Sequence, residues 1–202
     1  MIKPKIFLIL FCFPLLIYSQ NFKGGILAGL SASQISGDKL YGFNKASPII
    51  GGFTKLKFDE NNSLEFDLYY IGKGSHKTID TISFEFYTLK LRYVEALFLY
   101  RYHIKYFFIE GGISFAVLAY SSEEFEYGKY KPGVDRPAFN KFDYSYHVGL
   151  GYPVSKKLIF SARFSRSIAP VRGQDLSQSQ ARLDRLQFNS VTSFTLSYQF
   201  GK

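Results

Sequence analysis

The sequence predicts an all-β fold, an antiparallel barrel of about eight strands, and three observations support this prediction. Apolar and polar residues alternate with a period of two along most of the chain after residue 20, which is the periodicity of a strand. Aromatic residues, all Tyr and Phe, make up 19% of the chain, and both types favour pleated surfaces. The connections between the alternating segments are short and long in turn.

Eight segments carry the alternation, and the clearest lies near residues 142–152. Phe142 and Leu150 fall on one face there, whereas Asp143 and His147 fall on the other. Typical transmembrane β-strands have roughly 9–11 residues, and these segments match or slightly exceed that length. The predicted strands are 24–34, 48–58, 63–74, 87–102, 106–120, 139–153, 158–168 and 188–200.

The connections alternate strictly in length, so both chain ends fall on the side of the short turns. This asymmetry is typical of outer-membrane barrels, which have tight periplasmic turns and long extracellular loops. The short connections are 59–62, 103–105 and 154–157, and the long ones are 35–47, 75–86, 121–138 and 169–187.

The two faces of the strands differ in residue size, and this difference predicts a membrane environment. One face carries Gly, Ser and charged residues, and the other carries mainly bulky Phe, Tyr, Leu and Ile. The interior of eight strands is just wide enough for side chains, so the bulky set is expected outside, against lipid. We therefore predict an eight-stranded up-and-down transmembrane β-barrel. A soluble ligand-binding barrel is the alternative for the fold.

The charged residues of the small-residue face are expected inside the barrel. Acids and bases are nearly balanced among them, and buried charges are tolerated when they are paired. We therefore predict an ionic network that plugs the lumen. Its members are Lys55, Glu65, Asp67, Arg92, Glu95, Arg101, Glu110, Asp143 and Arg163.

The fourth strand does not keep one phase. Lys90 and Arg92 share one parity, whereas Glu95 and Arg101 share the other. A β-bulge near residues 93–94 would return all four to the interior. Two shorter strands that meet there are the alternative.

The chain begins with a predicted signal peptide over residues 1–19, and the barrel domain is expected over residues 20–202. Lys3 and Lys5 precede an apolar run over residues 6–17, which is the order of a secretory leader. That run is shorter than the roughly 20 residues of a membrane helix. A buried N-terminal helix is the alternative. We expect cleavage after export and a location in the cell outer membrane.

Composition narrows the possible chemistry. Cys12 is the only cysteine and lies in the predicted leader, so the mature chain has no disulfide or thiolate site. The net charge is +9, but the basic residues are scattered and no nucleic-acid motif is present. Outer-membrane lipid is the expected partner. We predict no cofactor, metal site or nucleic-acid partner, since no corresponding motif is present.

Several segments resemble the PorT-like outer-membrane β-barrel domain family, among the small "porin family" barrels of Gram-negative bacteria. They are FDYSYHVGLGYPVSKKLIFSARFSRSIAP at 142–170, YVEALFLYRY at 93–102, FIEGG at 108–112 and GGILAGLSASQI at 24–35. The resemblance implies the fold and the location. The family includes small barrels and factors that assist protein secretion, and it brings no catalytic residues.

The C-terminal strand resembles the signal recognised by the barrel-assembly machinery, which is therefore an expected partner. Its alternating residues are Phe194, Leu196, Tyr198 and Phe200. Gly201 and Lys202 follow this terminal aromatic residue, which is a departure from the signal's usual end.

Two further features bear on chemistry or recognition. His147 shares a face with Asp143 and Ser145, but such residues spread by roughly 7 Å per step, too far for a catalytic relay. No catalytic residues are predicted.

The third long loop mixes aromatic and charged residues that suit a glycan or protein partner, with packing on the barrel rim as the alternative. These candidates are Phe125, Tyr127, Lys129, Tyr130 and Arg136. A short helix is considered within 175–186.

The leading functional hypothesis is a non-enzymatic structural or interaction module that uses its extracellular loops. The alternatives are an accessory factor in protein secretion, a narrow solute channel and a lipid-modifying enzyme. Eight strands with a filled, charged lumen argue against the channel.

Overall fold

The computed structural model describes residues 22–36, 42–77, 87–125, 128–130, 137–172 and 186–201. The predicted signal peptide and the helix considered within 175–186 lie outside these residues. The strands are β1 Phe22–Ser36, β2 Lys45–Lys57, β3 Asn62–Lys77, β4 Tyr87–Ile104, β5 Phe107–Phe125, β6 Gly128–Tyr130, β7 Phe142–Pro153, β8 Leu158–Ser167 and β9 Phe188–Gln199.

Eight of these nine strands form a closed antiparallel ring. The sheet order is β4-β3-β2-β1-β9-β8-β7-β5-β6, and an additional β4–β5 pairing joins its two sides. Only β6 lies outside the ring, because it pairs with β5 alone. The ring strands follow one another in chain order, so the predicted up-and-down barrel is confirmed. No helix of the described residues is long and apolar enough for a membrane span.

The outer surface is apolar and the interior holds the charges, as the alternation predicts. Phe142, Leu196 and Phe200 expose 45%, 49% and 54% of their surface. Glu65 and Arg101 expose only 2% and 0%. Because the ionic groups lie inside the ring, the bulky side chains form a belt suited to hydrocarbon.

The bulge lies on β5 and not on β4, which corrects the prediction. Arg92 pairs with Tyr120, whereas the next residue, Tyr93, pairs with Leu118. Ala119 is therefore the extra residue, and β4 keeps one phase throughout. The change of parity among the charged residues of β4 therefore marks charges on the two opposite faces of one regular strand, and it is not a sign of a bulge.

Arg92 was therefore wrongly assigned to the lumen network. It is exposed, and its guanidinium lies over the outer-face ring of Tyr120 at 5.0 Å. Lys90, two residues earlier on the same face, leaves 43% of its side chain exposed. Leu89 and Leu91 take the interior positions instead and are fully buried.

The interior is less polar than the sequence predicts. An apolar cluster occupies much of it and dominates at the end that faces the long loops. Ile35, Leu89, Leu91, Phe139 and Val191 lie at this external end. Alternation predicts only which residues point inward, and it does not show whether a hydrocarbon or an ionic neighbour will meet them.

Candidate functional site: the barrel interior and its two mouths

A central ionic cluster connects four strands across the barrel. Arg101 on β4 and Glu110 on β5 are cross-strand neighbours, and Arg101 Nε lies 2.7 Å from Glu110 Oε2. Arg101 also pairs with Glu65 on β3. Arg163 on β8 pairs with Glu110, and its Nη1 lies 2.8 Å from Oδ2 of Asp67.

These residues expose no more than 5% of their surface. Charges this deeply buried are tolerated because each guanidinium faces more than one carboxylate. Glu110 is the junction, since it binds both arginines from opposite sides. The cluster therefore closes the middle of the barrel with directional bonds.

A second cluster lies nearer the external end and centres on Lys73, which is not among the predicted network residues. Lys73 Nζ lies 2.8 Å from Glu95 Oε2 and 3.0 Å from Asp143 Oδ2. Asn189 donates from Nδ2 to the same Asp143 oxygen at 2.8 Å. The parity of β3 places Lys73 in phase with Glu65 and could have identified it.

The surroundings of His147 do not form a catalytic relay. Its Nε2 lies 2.8 Å from Ser114 Oγ and 3.1 Å from Glu95 Oε1. Both partners thus meet the same ring nitrogen, whereas a relay uses the two nitrogens separately. Ser145 instead donates to Asp143 Oδ1 at 3.4 Å. These groups are buried, and their contacts are those of a polar lumen.

Arg172 closes the external mouth, a role that no pattern in the sequence predicts. Its Nη2 lies 3.0 Å from Glu123 Oε2, and its Nε donates to the Pro137 carbonyl at 2.6 Å. The guanidinium lies over the Phe139 ring at 4.2 Å. An isolated bridge pairs Arg172 with Gln187. Loop residues from distant parts of the sequence meet here, so no local pattern predicts the contact.

The structure places the other predicted network residues inside the ring. Lys55, Glu65, Asp67, Glu95, Arg101, Glu110, Asp143 and Arg163 are all buried. They separate into the central cluster and the Lys73 cluster, while Lys55 lies apart at the periplasmic mouth. Among the described residues, no group of three or more His, Cys, Asp or Glu side chains could hold a metal ion.

The predicted partner-binding residues are only partly described. Phe125 ends β5 and is half-buried, and Lys129 on β6 is exposed. Lys129 Nζ lies 3.2 Å from Glu124 Oε1. This hydrogen bond, together with the charge of Lys90, holds the pKa of Glu124 below its usual range. Tyr130 belongs to β6, whereas Tyr127 and Arg136 lie outside the described residues.

The alternating residues of the C-terminal strand all point outward. Phe194, Leu196, Tyr198 and Phe200 each expose between 44% and 54% of their surface. The strand also completes the ring by pairing with β1 from Gly25↔Gln199 to Ser36↔Phe188. Recognition of this strand by the barrel-assembly machinery stays a prediction.

A closed antiparallel ring with a lipid-facing apolar belt and an ionic interior defines the class of transmembrane β-barrels. The chain matches the family model of the outer membrane protein beta-barrel domain over residues 18–172. It therefore belongs to this family, and its location is the outer membrane. No curated protein matches it.

Several solved structures are similar to this chain. Ail of Yersinia pestis, in complex with the heparin analogue sucrose octasulfate, has 13% identity over 90% of this chain and 100% of its own, with a TM-score of 0.49. Neisserial surface protein A has 10% identity over 89% and 97%, with a TM-score of 0.45. OprG of Pseudomonas aeruginosa has 11% identity over 90% and 95%, with a TM-score of 0.37.

Proposed function

We propose that this protein is a non-enzymatic, non-conducting outer-membrane barrel that serves as an interaction module through its external surface. The carrying observation is the double closure of its interior. The central cluster ties β3, β4, β5 and β8 together. The Arg172 contacts with Glu123 and Phe139 then cover the external end.

The external end also offers a surface built on rigid strands. β4 and β5 remain paired as far as Tyr87↔Phe125, and β6 adds a third strand beside them. Beyond Tyr120, β5 has no exposed large hydrophobic side chain, so residues 121–125 lie outside the apolar belt. Exposed Lys129 lies on this extension, and polar surface beside aromatic residues suits a glycan or protein partner.

Conductance in planar bilayers tests the non-conducting part of the proposal. The protein, purified from outer membranes, should give no stable ohmic steps, because buried ion pairs and the apolar cluster together fill the lumen. A variant that combines Arg101→Ser and Arg163→Ser loses only the central closure, so it should gain measurable conductance only when Arg172→Ser is added as well. Folding of each variant is judged by heat-modifiable gel migration. Stable steps from the unaltered protein would establish the channel alternative.

Site-specific photocrosslinking tests the interaction part. A photoreactive residue at position 129 samples the external extension, and a matched one at Lys105 samples the turn at the opposite end. We expect position 129 to capture a glycan or protein on intact cells and position 105 to capture no such partner. Crosslinks from position 105 to secretion components would support the accessory-factor alternative and contradict the proposal.

Two finer assignments complete the proposal: membership in the PorT-like group and cleavage of residues 1–19. The segments at 142–170 and 93–102 support the first. The charged and apolar order of the leader supports the second. Mass spectrometry of the mature N-terminus tests the cleavage. An intact N-terminus in the outer-membrane fraction would contradict it.

A further inference from the structure

The periplasmic mouth of the barrel contains a basic cavity of about 210 Å³. Its basic lining residues are Lys23, Lys55, Lys57, His103 and Lys156. No carboxylate of the described residues belongs to the lining, although the interior just above it is rich in acids. We call this cavity the basic well.

Lys55 points into the basic well without an anionic partner. It is only 8% exposed, yet no carboxylate of the described residues lies within 4.0 Å of its ammonium group, and no described group accepts a hydrogen bond from it. Glu65 is its cross-strand neighbour on β3, but the Glu65 carboxylate pairs with Arg101 and Arg163. Lys55 is buried as a residue but lines the cavity, so an anion in the well could supply the partner that its ammonium group lacks.

The register of the strands also brings like charges together. Lys23 on β1 is directly opposite Lys55 on β2, and like charges in that arrangement destabilise a sheet. Lys57 follows on the same face of β2. Three ammonium groups on adjacent strands thus converge where a single anion could contact more than one of them.

The basic well is closed on the side that faces the barrel centre. The Arg101 guanidinium packs over the Phe108 ring at 4.5 Å and binds Glu110, and this layer separates the cavity from the second cluster. A ligand must therefore enter from the periplasmic side. His103, held by Ser63 at 3.0 Å, borders the same entrance.

We propose that the basic well binds a phosphate group supplied from the periplasmic side. Lysine is a common phosphate ligand that acts as a point charge, and a phosphate carries enough oxygens to bridge several ammonium groups. The source is either the headgroup of a phospholipid in the inner leaflet or a soluble phosphate compound. Neither source needs the external surface, so this inference is independent of the proposed function.

Titration calorimetry and native mass spectrometry distinguish the two sources. The full barrel in non-ionic detergent is titrated with inorganic phosphate, and in parallel it is exchanged into micelles with phosphatidic acid or phosphatidylcholine. Calorimetric binding of phosphate without lipid retention indicates a soluble ligand. Selective retention of phosphatidic acid indicates a headgroup. Absence of both signals overturns the proposal.

Two variants locate the binding, and one serves as a control. Lys55→Met and Lys57→Gln should each weaken binding by about tenfold, the loss expected from one charge-assisted hydrogen bond. Lys105→Gln removes a lysine at the same end that does not line the well and should leave binding unchanged. Lys57 is exposed, so its variant remains informative if Lys55→Met fails to fold. Equal binding by Lys57→Gln and Lys105→Gln would contradict the assignment.

Discussion

At the scale of single residues, Glu110 is the side chain on which the central cluster depends most. It is the carboxylate that joins Arg101 to Arg163. Glu65 and Asp67 each contribute further bonds from β3, but neither receives the Nε of both arginines. Loss of the Glu110 charge therefore weakens two buried guanidinium contacts at once.

We expect Glu110→Gln to lower the free energy of unfolding by about 3–5 kcal/mol, the usual result of removing one partner from a buried ion pair. Urea unfolding of the barrel in lipid vesicles measures the change. Glu124→Gln is the matched control, because Glu124 pairs at the solvent-exposed external rim. An equal effect of both variants would show that the central cluster adds nothing to stability.

Individual residues also show which side-chain positions and contacts can be predicted from the sequence. Parity alone places Glu65, Arg101 and Glu110 inside, and their pairing follows because the ring brings β3, β4 and β5 side by side. The contact of Arg172 with Glu123 could not be predicted, since it depends on the path of loops. Arg92 was misplaced because a parity change among the charges of β4 was attributed to a bulge, whereas β4 is regular and Arg92 lies on its outer face.

At the scale of elements, the β2–β3 turn is held by one carboxylate. Asp59 Oδ1 accepts the backbone N–H groups of Asn61 and Asn62 at 2.8 and 2.7 Å, and the Asn62 amide also donates to Asp59. The Asn62 side chain, followed by the backbone donors, holds the pKa of Asp59 below its usual range. The carboxylate thus favours the folded turn when it is ionised.

Because the pKa of Asp59 is lower in the folded state, its contribution is present above the unfolded pKa of about 3.9. It is lost as the pH falls through the folded value. The urea midpoint of Asp59→Ala should therefore be below that of the unaltered protein at pH 7, and the two should converge as the pH falls below the folded pKa of Asp59. A difference that persists unchanged at low pH would contradict this role.

The bulge on β5 makes a second prediction at this scale. Deletion of Ala119 should leave a folded barrel, because residues on both sides of it already pair in order with β4. Deletion of Ala96 on β4 should prevent folding, since β4 has no bulge and a one-residue shift reverses the faces of its side chains. Gel migration without boiling measures folding in both cases. Failure of the Ala119 deletion alone would sink this interpretation.

At the scale of the whole molecule, the closed ring and its ionic interior predict resistance to detergent. The protein should be recovered from the outer membrane and should migrate differently on electrophoresis with and without boiling. Arg101→Ser combined with Arg163→Ser should lower the temperature at which the two forms interconvert. Recovery as a soluble periplasmic protein, or identical migration, would contradict a membrane barrel held by this interior.

The sequence was sufficient for the architecture because one alternating pattern specifies both strands and faces. Because the small and charged residues, such as Glu65 and Arg163, were placed inside, the bulky residues of the opposite parity, such as Phe142 and Leu196, had to lie outside. The apolar cluster around Leu89 and Leu91 was not predicted, because hydrocarbon can occupy either face of a membrane barrel strand. Composition distinguishes the faces on average, and local neighbours decide the exceptions.

The pairing of β1 with β9 has a consequence for biogenesis. Gly25 on β1 and Gln199 on β9 are partners. One edge of β1, the first strand of the chain, therefore lacks hydrogen-bond partners until β9, the last strand, is in place. Until then that edge is open within a lipid environment that offers no alternative donors or acceptors. Closure of the ring therefore requires the last strand, and a chain that stops before residue 188 would lack the segment that pairs with β1.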